Sequence, residues 1–459
     1  MIKKLFQDKG NSISVIFLFL SLLSLVITTF FMFLNNMYHI FPKSLPSGKL
    51  INSNILNTIE IGARDFLFIY ASIFFISFYL VPRLTGRTFF GLKLATVIAS
   101  LGFIVPLISL IFSYKSKNSF GFVSNLSTVL MTILILFTIF VTISFRMRSE
   151  RSLFVAGYFL LASFISLIAG SYSMGINLKT TADLTIVSSF FTSSQIYMGT
   201  GFASLSIILF LATKGIGGVL ESKPLTSITL WGYLFLFPWV GLQFYFGTFL
   251  PNWIENASIF MSIGLIIPLI AFLSNILKTI QSSKGRHGLT SRFLNNSILL
   301  FTLGNLLIIV GSFPSIIPLI SFTTWDTAIK FSFIFSFASG LLGLYTYSIP
   351  KLTGRELIEN TSSYTLYGIG STLVVISLAV NGLVSGYLWT AGANAGRFTS
   401  FGEGYQIVWQ ASSPFHSIAT LGSLLLFTSL LIFTVNTLRS VTSGSIVPQE
   451  ILVGVKENE

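Results

Sequence analysis

The sequence predicts an all-α polytopic membrane protein, with twelve transmembrane helices in a single domain over residues 1–459. Three observations carry this. Apolar residues make up 53% of the chain and charged residues only 9%, against about 25% charge in an ordinary soluble domain; mean hydropathy is +0.84. Twelve stretches reach the roughly 20 mostly apolar residues that a helix needs to cross a bilayer. Those stretches are continuous rather than alternating in polarity, which favours helices over a barrel.

The first stretch, 13–36, is too long for a signal peptide, and no small-residue cleavage site follows it. The second, 62–85, ends in Tyr79-Leu80-Val81-Pro82 and exits through Arg83-Leu84-Thr85-Gly86-Arg87. The third and fourth, 91–114 and 124–145, are followed by Arg146, Arg148 and Arg151. After 153–173 comes 188–213, whose exit Gly215-Ile216-Gly217-Gly218 lacks the strand–turn–helix setting of a nucleotide loop. The seventh, 226–250, carries Phe235, Phe237, Phe244 and Phe246, read as a packing seam. The eighth and ninth, 257–280 and 296–320, precede 326–349, which exits through Pro350-Lys351-Leu352-Thr353-Gly354-Arg355. The last two are 364–388 and 411–436. The two similar basic exits read as helix ends closed by glycine at a membrane boundary rather than as a repeat. The longest links, 37–61 and 389–410, are short for folded domains.

The net charge of +13 reflects topology. With the N-terminus placed in the cytoplasm, the inner segments hold 19 of the 27 Lys and Arg residues, and the outer ones hold 6: Lys43, Lys49, Lys115, Lys117, Lys179 and Arg397. This follows the positive-inside rule and predicts a cell (plasma or inner) membrane protein with both termini cytoplasmic. Attraction to anionic lipid is expected. Nucleic-acid binding is not, because no soluble basic module exists to carry it. The absence of cysteine excludes disulfides, thiolate metal sites and cysteine nucleophiles. Three histidines are present: His39, His287 and His416.

Several motifs together resemble the catalytic subunit (subunit I) of the heme–copper oxidases, closest to the C-type cytochrome oxidases and nitric oxide reductases. Trp239-Val240-Gly241 and Leu250-Pro251-Asn252-Trp253 are similar to that branch's helix-seven signature. Pro350-Lys351-Leu352-Thr353-Gly354-Arg355-Glu356 resembles the segment after its tenth helix, and Tyr79-Leu80-Val81-Pro82 the end of its second. Ser413-Pro414-Phe415 and Leu421-Gly422 stand where it has His-Pro-Phe/Tyr and Leu-Gly. The resemblance covers most of residues 60–436 and implies a twelve-helix bundle of subunit I type.

It also implies two hemes and one copper held by six histidines, and here this sequence departs. The helix-seven His-His pair falls on Gln243 and Phe244, and the helix-ten His-x-His on Ala328 and Lys330. The helix-two histidine falls on Glu60 or Ile61, the helix-six copper ligand near Ser193, Ser194 or Gln195. Imidazole is the neutral nitrogen ligand both metals require, and three histidines cannot supply six positions. The expectation is therefore a cofactor-free subunit-I-like component of a respiratory or electron-transfer complex. Neither heme nor copper is expected, and quinone or lipid is left open as a cavity occupant. The partners implied are other membrane respiratory subunits, among them a heme-bearing oxidase subunit or cytochrome. Two alternatives stay open: a redox subunit with altered ligation (Lys330 or Met198) or a quinol site, and a transporter reusing the bundle through Asn305 and Asn381.

Four residues are candidate intramembrane polar contacts: Lys330, Glu60, Asp65 and His416. One reading pairs Lys330 with Glu60 or Asp65, tying together helices two and ten; the other leaves these groups solvated at the outer boundary. Gln243 lines a remnant cavity, or Phe244 fills it. His416, with Ser412 and Ser413, contacts a quinone headgroup or a proton path, or is simply hydrogen-bonded in the bundle. Asp183, Glu255, Asp326 and Glu403 are read as a solvated outer boundary.

Overall fold

The computed structural model describes residues 9–40, 53–113, 119–149, 154–174, 181–245, 250–283, 288–358, 361–397 and 400–445. His287 and Phe246 lie outside them, as does the side chain of His39. Twelve helices in the described residues are long and apolar enough to cross a membrane: α1 (Gly10–Tyr38), α2 (Ile55–Thr85), α3 (Leu92–Leu110), α4 (Ser127–Arg146), α5 (Val155–Ser173), α6 (Thr185–Gly215), α7 (Lys223–Tyr245), α8 (Asn252–Gln281), α9 (Leu289–Gly311), α10 (Trp325–Thr353), α11 (Thr361–Asn394) and α12 (Gly402–Ser443). The predicted count and order stand, and the chain is a multi-pass membrane protein.

Sequential neighbours pack in pairs, and α12 returns against α1. Three helices occupy the centre: α2, α6 and α10 are buried over 94%, 94% and 89% of their apolar windows, against 33–61% for the others. The two basic exits share one geometry. Gly86 and Gly354 adopt φ of 65° and 67°, and their N–H groups donate to the carbonyls of Pro82 and Pro350 at 3.0 and 2.9 Å. A left-handed cap of this kind favours glycine, which lacks the Cβ that would clash.

Five helix assignments need correction. α2 begins at Ile55 rather than 62, so Glu60, Arg64 and Asp65 are helical and lie within the bundle. The ninth stretch was placed too late: α9 ends at Gly311, and Ile317–Ile320 is a separate single turn. α7 is α-helical only to Leu236 and continues as 3₁₀ turns at Phe237–Trp239 and Leu242–Tyr245, since Pro238 cannot donate into the ladder and Gly241 takes φ 109°. The phenylalanine seam therefore does not run on one helix face. Phe235 is 64% exposed, whereas Phe237 and Phe244 are buried. α11 and α12 each extend past the predicted limits, which shortens the link between them.

Candidate functional site: the polar half of the bundle

Two of the central helices carry π-helical turns, at Ala63–Phe68 in α2 and Ser193–Thr200 in α6. Such turns insert one extra residue into a helix and recur at functional sites. Both adjoin or contain the positions singled out from sequence. Glu60 is buried while Ile61 is 36% exposed, so Glu60 is the inward member of that pair.

The charged residues in the first turns of α2 are not solvated. Glu60, Arg64 and Asp65 are all buried. The Arg64 guanidinium forks onto Asp65, donating from Nε to Oδ1 at 2.7 Å and from Nη2 to Oδ2 at 3.2 Å. Its Nη1 lies 3.5 Å from Glu60 Oε1, and Asn35 Nδ2 of α1 donates to Glu60 Oε2 at 2.7 Å. The guanidinium also sits 5.6 Å from the ring centre of Phe331 on α10, a cation–π distance. The contact from this cluster across to α10 is thus made by Arg64.

Lys330 pairs with neither Glu60 nor Asp65. Its Nζ lies 2.6 Å from Oδ2 of Asp326, one turn earlier on α10, and Tyr197 of α6 donates to Asp326 Oδ1 at 2.8 Å. The i, i+4 spacing brings this pair together on one helix face. Both side chains are partly exposed, at 24% and 30%, and such pairs contribute about 0–1 kcal/mol. Lys330→Met is accordingly expected to move the thermal midpoint by no more than a few degrees, measured in purified, lipid-reconstituted protein. A large loss would mean that Lys330 bears on the buried α2 cluster.

The outer-boundary acids divide. Asp183 and Glu403 are exposed as expected, but Glu255 is buried, because it begins α8 on the side facing the bundle.

Gln243 and Phe244 are both buried. Gln243 Oε1 accepts from the Gly241 N–H at 2.8 Å and from Ser258 Oγ at 2.6 Å, while Nε2 donates to Ser312 Oγ at 3.4 Å. Its amide therefore staples the broken end of α7 to α8 and α9. Ser193 Oγ donates back to Phe190. Gln195 Nε2 donates to the Leu167 carbonyl at 3.0 Å and to Ser171 Oγ at 3.2 Å. Ala328 is fully buried.

Between α6, α7, α9 and α10 the volume is filled by rings. Phe333 of α10 lies 5.4 Å from Tyr197, 5.4 Å from Phe301 and 5.7 Å from Phe237, centre to centre. Tyr233 stacks on Phe237 at 4.6 Å and meets Phe301 edge-on at 5.6 Å. These separations fall in the range of favourable aromatic packing. Asn305 donates its amide to the Phe301 carbonyl of its own helix, whereas Asn381 donates to Thr324 and meets His416.

A separate cavity of about 980 Å³ opens between α11, α12 and the turn before α10, at the end of the bundle opposite Gly86 and Gly354. His416, Ser412 and Asn381 line it; Ser413 does not, and donates back to Gln410. Tyr405, Trp409, Ser412 and His416 repeat at helical spacing on α12, as do Asn381, Ser385 and Trp389 on α11. Those two polar–aromatic stripes were the sequence signal for this cavity.

The family model for Cytochrome C and Quinol oxidase polypeptide I matches residues 12–425. The chain belongs to the heme–copper oxidase subunit I family. Among curated proteins it is similar to the Cbb3-type cytochrome c oxidase subunit CcoN1 of Stutzerimonas stutzeri, 23% identical over 419 residues, spanning 85% of this chain and 86% of that one. That relative is of the C-type branch to which the motifs pointed. In fold, the chain is similar to the cryo-EM structure of a heme–copper terminal oxidase dimer, with a TM-score of 0.74 and 13% identity over 96% of this chain and 85% of that one.

Proposed function

We propose that this subunit I homologue works as a cofactor-free structural component of a respiratory membrane complex, docking heme-bearing subunits rather than carrying heme and copper itself. It would sit in the cell membrane with both termini cytoplasmic. One observation carries the reading: the positions that match the family's ligands hold Glu60, Ser193, Gln243, Phe244, Ala328 and Lys330, and the volume between α6, α7, α9 and α10 is packed by Phe333, Tyr197, Phe237, Phe301 and Tyr233.

These residues do not fit a heme iron or a copper ion. Gln243 already spends both ends of its amide on Ser258, Ser312 and Gly241. Lys330 is engaged as an ammonium with Asp326, and an ammonium has no lone pair to give a metal. Among the described residues no three His, Cys, Asp or Glu side chains group as a metal site. The side chains instead contribute what a bundle needs: Arg64 and Gln243 satisfy buried polar groups across helices, and the rings pack against one another in the interior.

The test is to purify the native complex, separate its subunits, and measure heme and copper per polypeptide. Less than about a tenth of an equivalent of either is expected on this chain, with heme recovered on its partners; the threshold reflects tight metal binding, which would otherwise leave a full complement. A stoichiometric heme or copper on the separated chain would overturn the proposal.

A further inference from the structure

A groove runs along the outer side of the bundle between α9 and α11, where Ile369 and Ile376 are each 49% exposed. Two cavities lie along it in series. The one nearer Gly354, about 440 Å³, is walled by Asn296 of α9 and by Tyr364, Thr365, Gly368 and Thr372 of α11. The other, about 230 Å³, is walled by Leu303 and Leu307 of α9 and by Val375, Ala379 and Leu383 of α11. These positions recur at helical spacing, so they stand on one face of each helix. From Tyr364 to Leu383 the groove measures about 28 Å at about 1.5 Å of rise per residue, close to the roughly 30 Å hydrocarbon core of a bilayer. An acyl chain reaches through one leaflet only, about half of that depth, whereas a single helix spans all of it.

One polar group on this wall lacks a donor. Asn296 is 7% exposed. Ser339 of α10 spends its only proton on the Phe293 carbonyl at 2.9 Å, so the Asn296 atom 3.1 Å from its Oγ is the amide nitrogen. Asn296 Oδ1 accepts from none of the described residues. The amide oxygens of Asn35, Gln195, Asn305 and Asn381 also lack donors, but those are sealed inside the bundle. Asn296 Oδ1 faces the groove: a Cβ built on Gly368 would stand 3.8 Å from it and meet nothing else within 4 Å. The hydroxyls of Thr365 and Thr372 donate to the carbonyls of Thr361 and Gly368 on their own helix, at 3.1 and 2.8 Å, and do not serve it. A carbonyl oxygen without a donor is costly in hydrocarbon, and lipid tails supply none.

We infer that the groove seats one membrane-spanning helix of a partner subunit, with small residues of that helix against Gly368 and a hydroxyl, amide or ring N–H donating to Asn296 Oδ1. The inference rests on the docking role proposed above and gives that role a place. Helices that associate in lipid do so through small residues, which let backbones approach, and through hydrogen bonds between side chains. Gly368 supplies the first on this side and Asn296 the second. Ala379 continues the shallow floor toward the other end of the groove. No Lys, Arg, Asp or Glu lines either cavity, so the matching span is uncharged over this length. A second copy of this chain fits poorly: a two-fold contact sets the same concave groove against itself and leaves a helix-wide space unfilled.

The experiment uses the full chain in its native membrane. Photoreactive benzoylphenylalanine replaces Thr365 in one variant and Val380 in another, both on the groove wall, and the adducts are sequenced by mass spectrometry. Both probes should label the same apolar span of one partner, at positions about 15 residues apart, because two helices lying side by side advance at the same rise. That span should carry a donor side chain within one turn of the Asn296 depth. Gly368→Leu sends a side chain into the groove and not into the chain's own core. It should keep the parent's thermal midpoint in the separated chain while both adducts fall about tenfold, the scale of overfilling a packed contact. Thr132→Leu, which adds bulk to an exposed face of α4, should leave both adducts intact. Adducts to phospholipid alone, adducts to a second copy of this chain, two probes labelling unrelated spans, a span without a donor, or undiminished labelling in Gly368→Leu would overturn the inference. Should it fail while heme-bearing subunits still co-purify with a heme-free chain, the docking role stands and only its place is lost. Heme on this chain would overturn the proposed function without moving either adduct.

Discussion

Replacing Arg64 by methionine is expected to cost the folded protein about 3–5 kcal/mol, the usual consequence of removing one partner from a buried ion cluster. The side-chain volume is roughly kept, but Glu60 and Asp65, 5% and 3% exposed, lose the only cation that contacts them in the described residues. Asn35 remains as a single donor to Glu60. The cost should appear as a fall of many degrees in the thermal midpoint of the reconstituted protein and as low abundance in the membrane. The triple variant Glu60→Gln, Arg64→Met, Asp65→Asn removes the stranded charges and should recover most of the loss. That recovery is the diagnostic outcome, since it separates stranded charge from lost packing against Phe331. A single Arg64→Met variant whose midpoint stays within about 2 °C of the parent would show that the carboxylates are not stranded, because 1 kcal/mol already moves the midpoint of a large domain by roughly 2–4 °C. The contrast with Lys330→Met, whose pair is half-buried and local to α10, tests the same distinction from the other side.

Gly386→Ala is the second large effect. A Cβ at that position would overlap the carbonyl oxygen of Leu319 and stand 2.5 Å from its carbon. The obstacle is backbone, so no side-chain rotation relieves it, and the turn at Ile317–Ile320 must lift off α11. Overpacking of this kind costs about 1–3 kcal/mol and more where the backbone has to move; about 3 kcal/mol or more is expected here. Gly402→Ala, with nothing within 4 Å of its Cβ, is the matched control. It should be neutral or stabilising by up to about 1 kcal/mol, since alanine is the better helix former. Equal midpoints for the two variants would refute the close approach of the turn to α11.

The amino-acid sequence alone determined the fold class and much of its outline. Continuous apolar runs can cross a bilayer only as helices, so the twelve spans and their order were readable before any coordinates. The two glycine-capped exits at Gly86 and Gly354 were equally readable, because proline, basic residues and glycine each have a local reason to stand there. The missing imidazoles are a matter of counting, and the chemistry of heme and copper turns that count into an expectation. Helix limits were less legible. Hydropathy cannot see the break after Leu236, the close of α9 at Gly311, or a π-helical turn, all of which depend on backbone hydrogen bonds.

Only the tertiary structure decided which helices are central and which polar groups meet. The outer helix α1 has a mean hydropathy of 2.6, whereas the buried α2, α6 and α10 have 1.8, 1.7 and 1.5. High hydropathy therefore does not mark the centre of the bundle, because lipid already accepts apolar side chains, while the interior accommodates hydroxyls, amides and charges by pairing them across helices. For the same reason Arg64 is the buried hub for Glu60 and Asp65, and Lys330 turns to Asp326 instead of crossing to α2. Asn381 and His416 lie 35 residues apart in the chain and meet at 3.0 Å. Hydropathy and periodicity report what each segment prefers to be surrounded by; the partner a buried polar atom finds, or lacks, depends on which helices stand side by side.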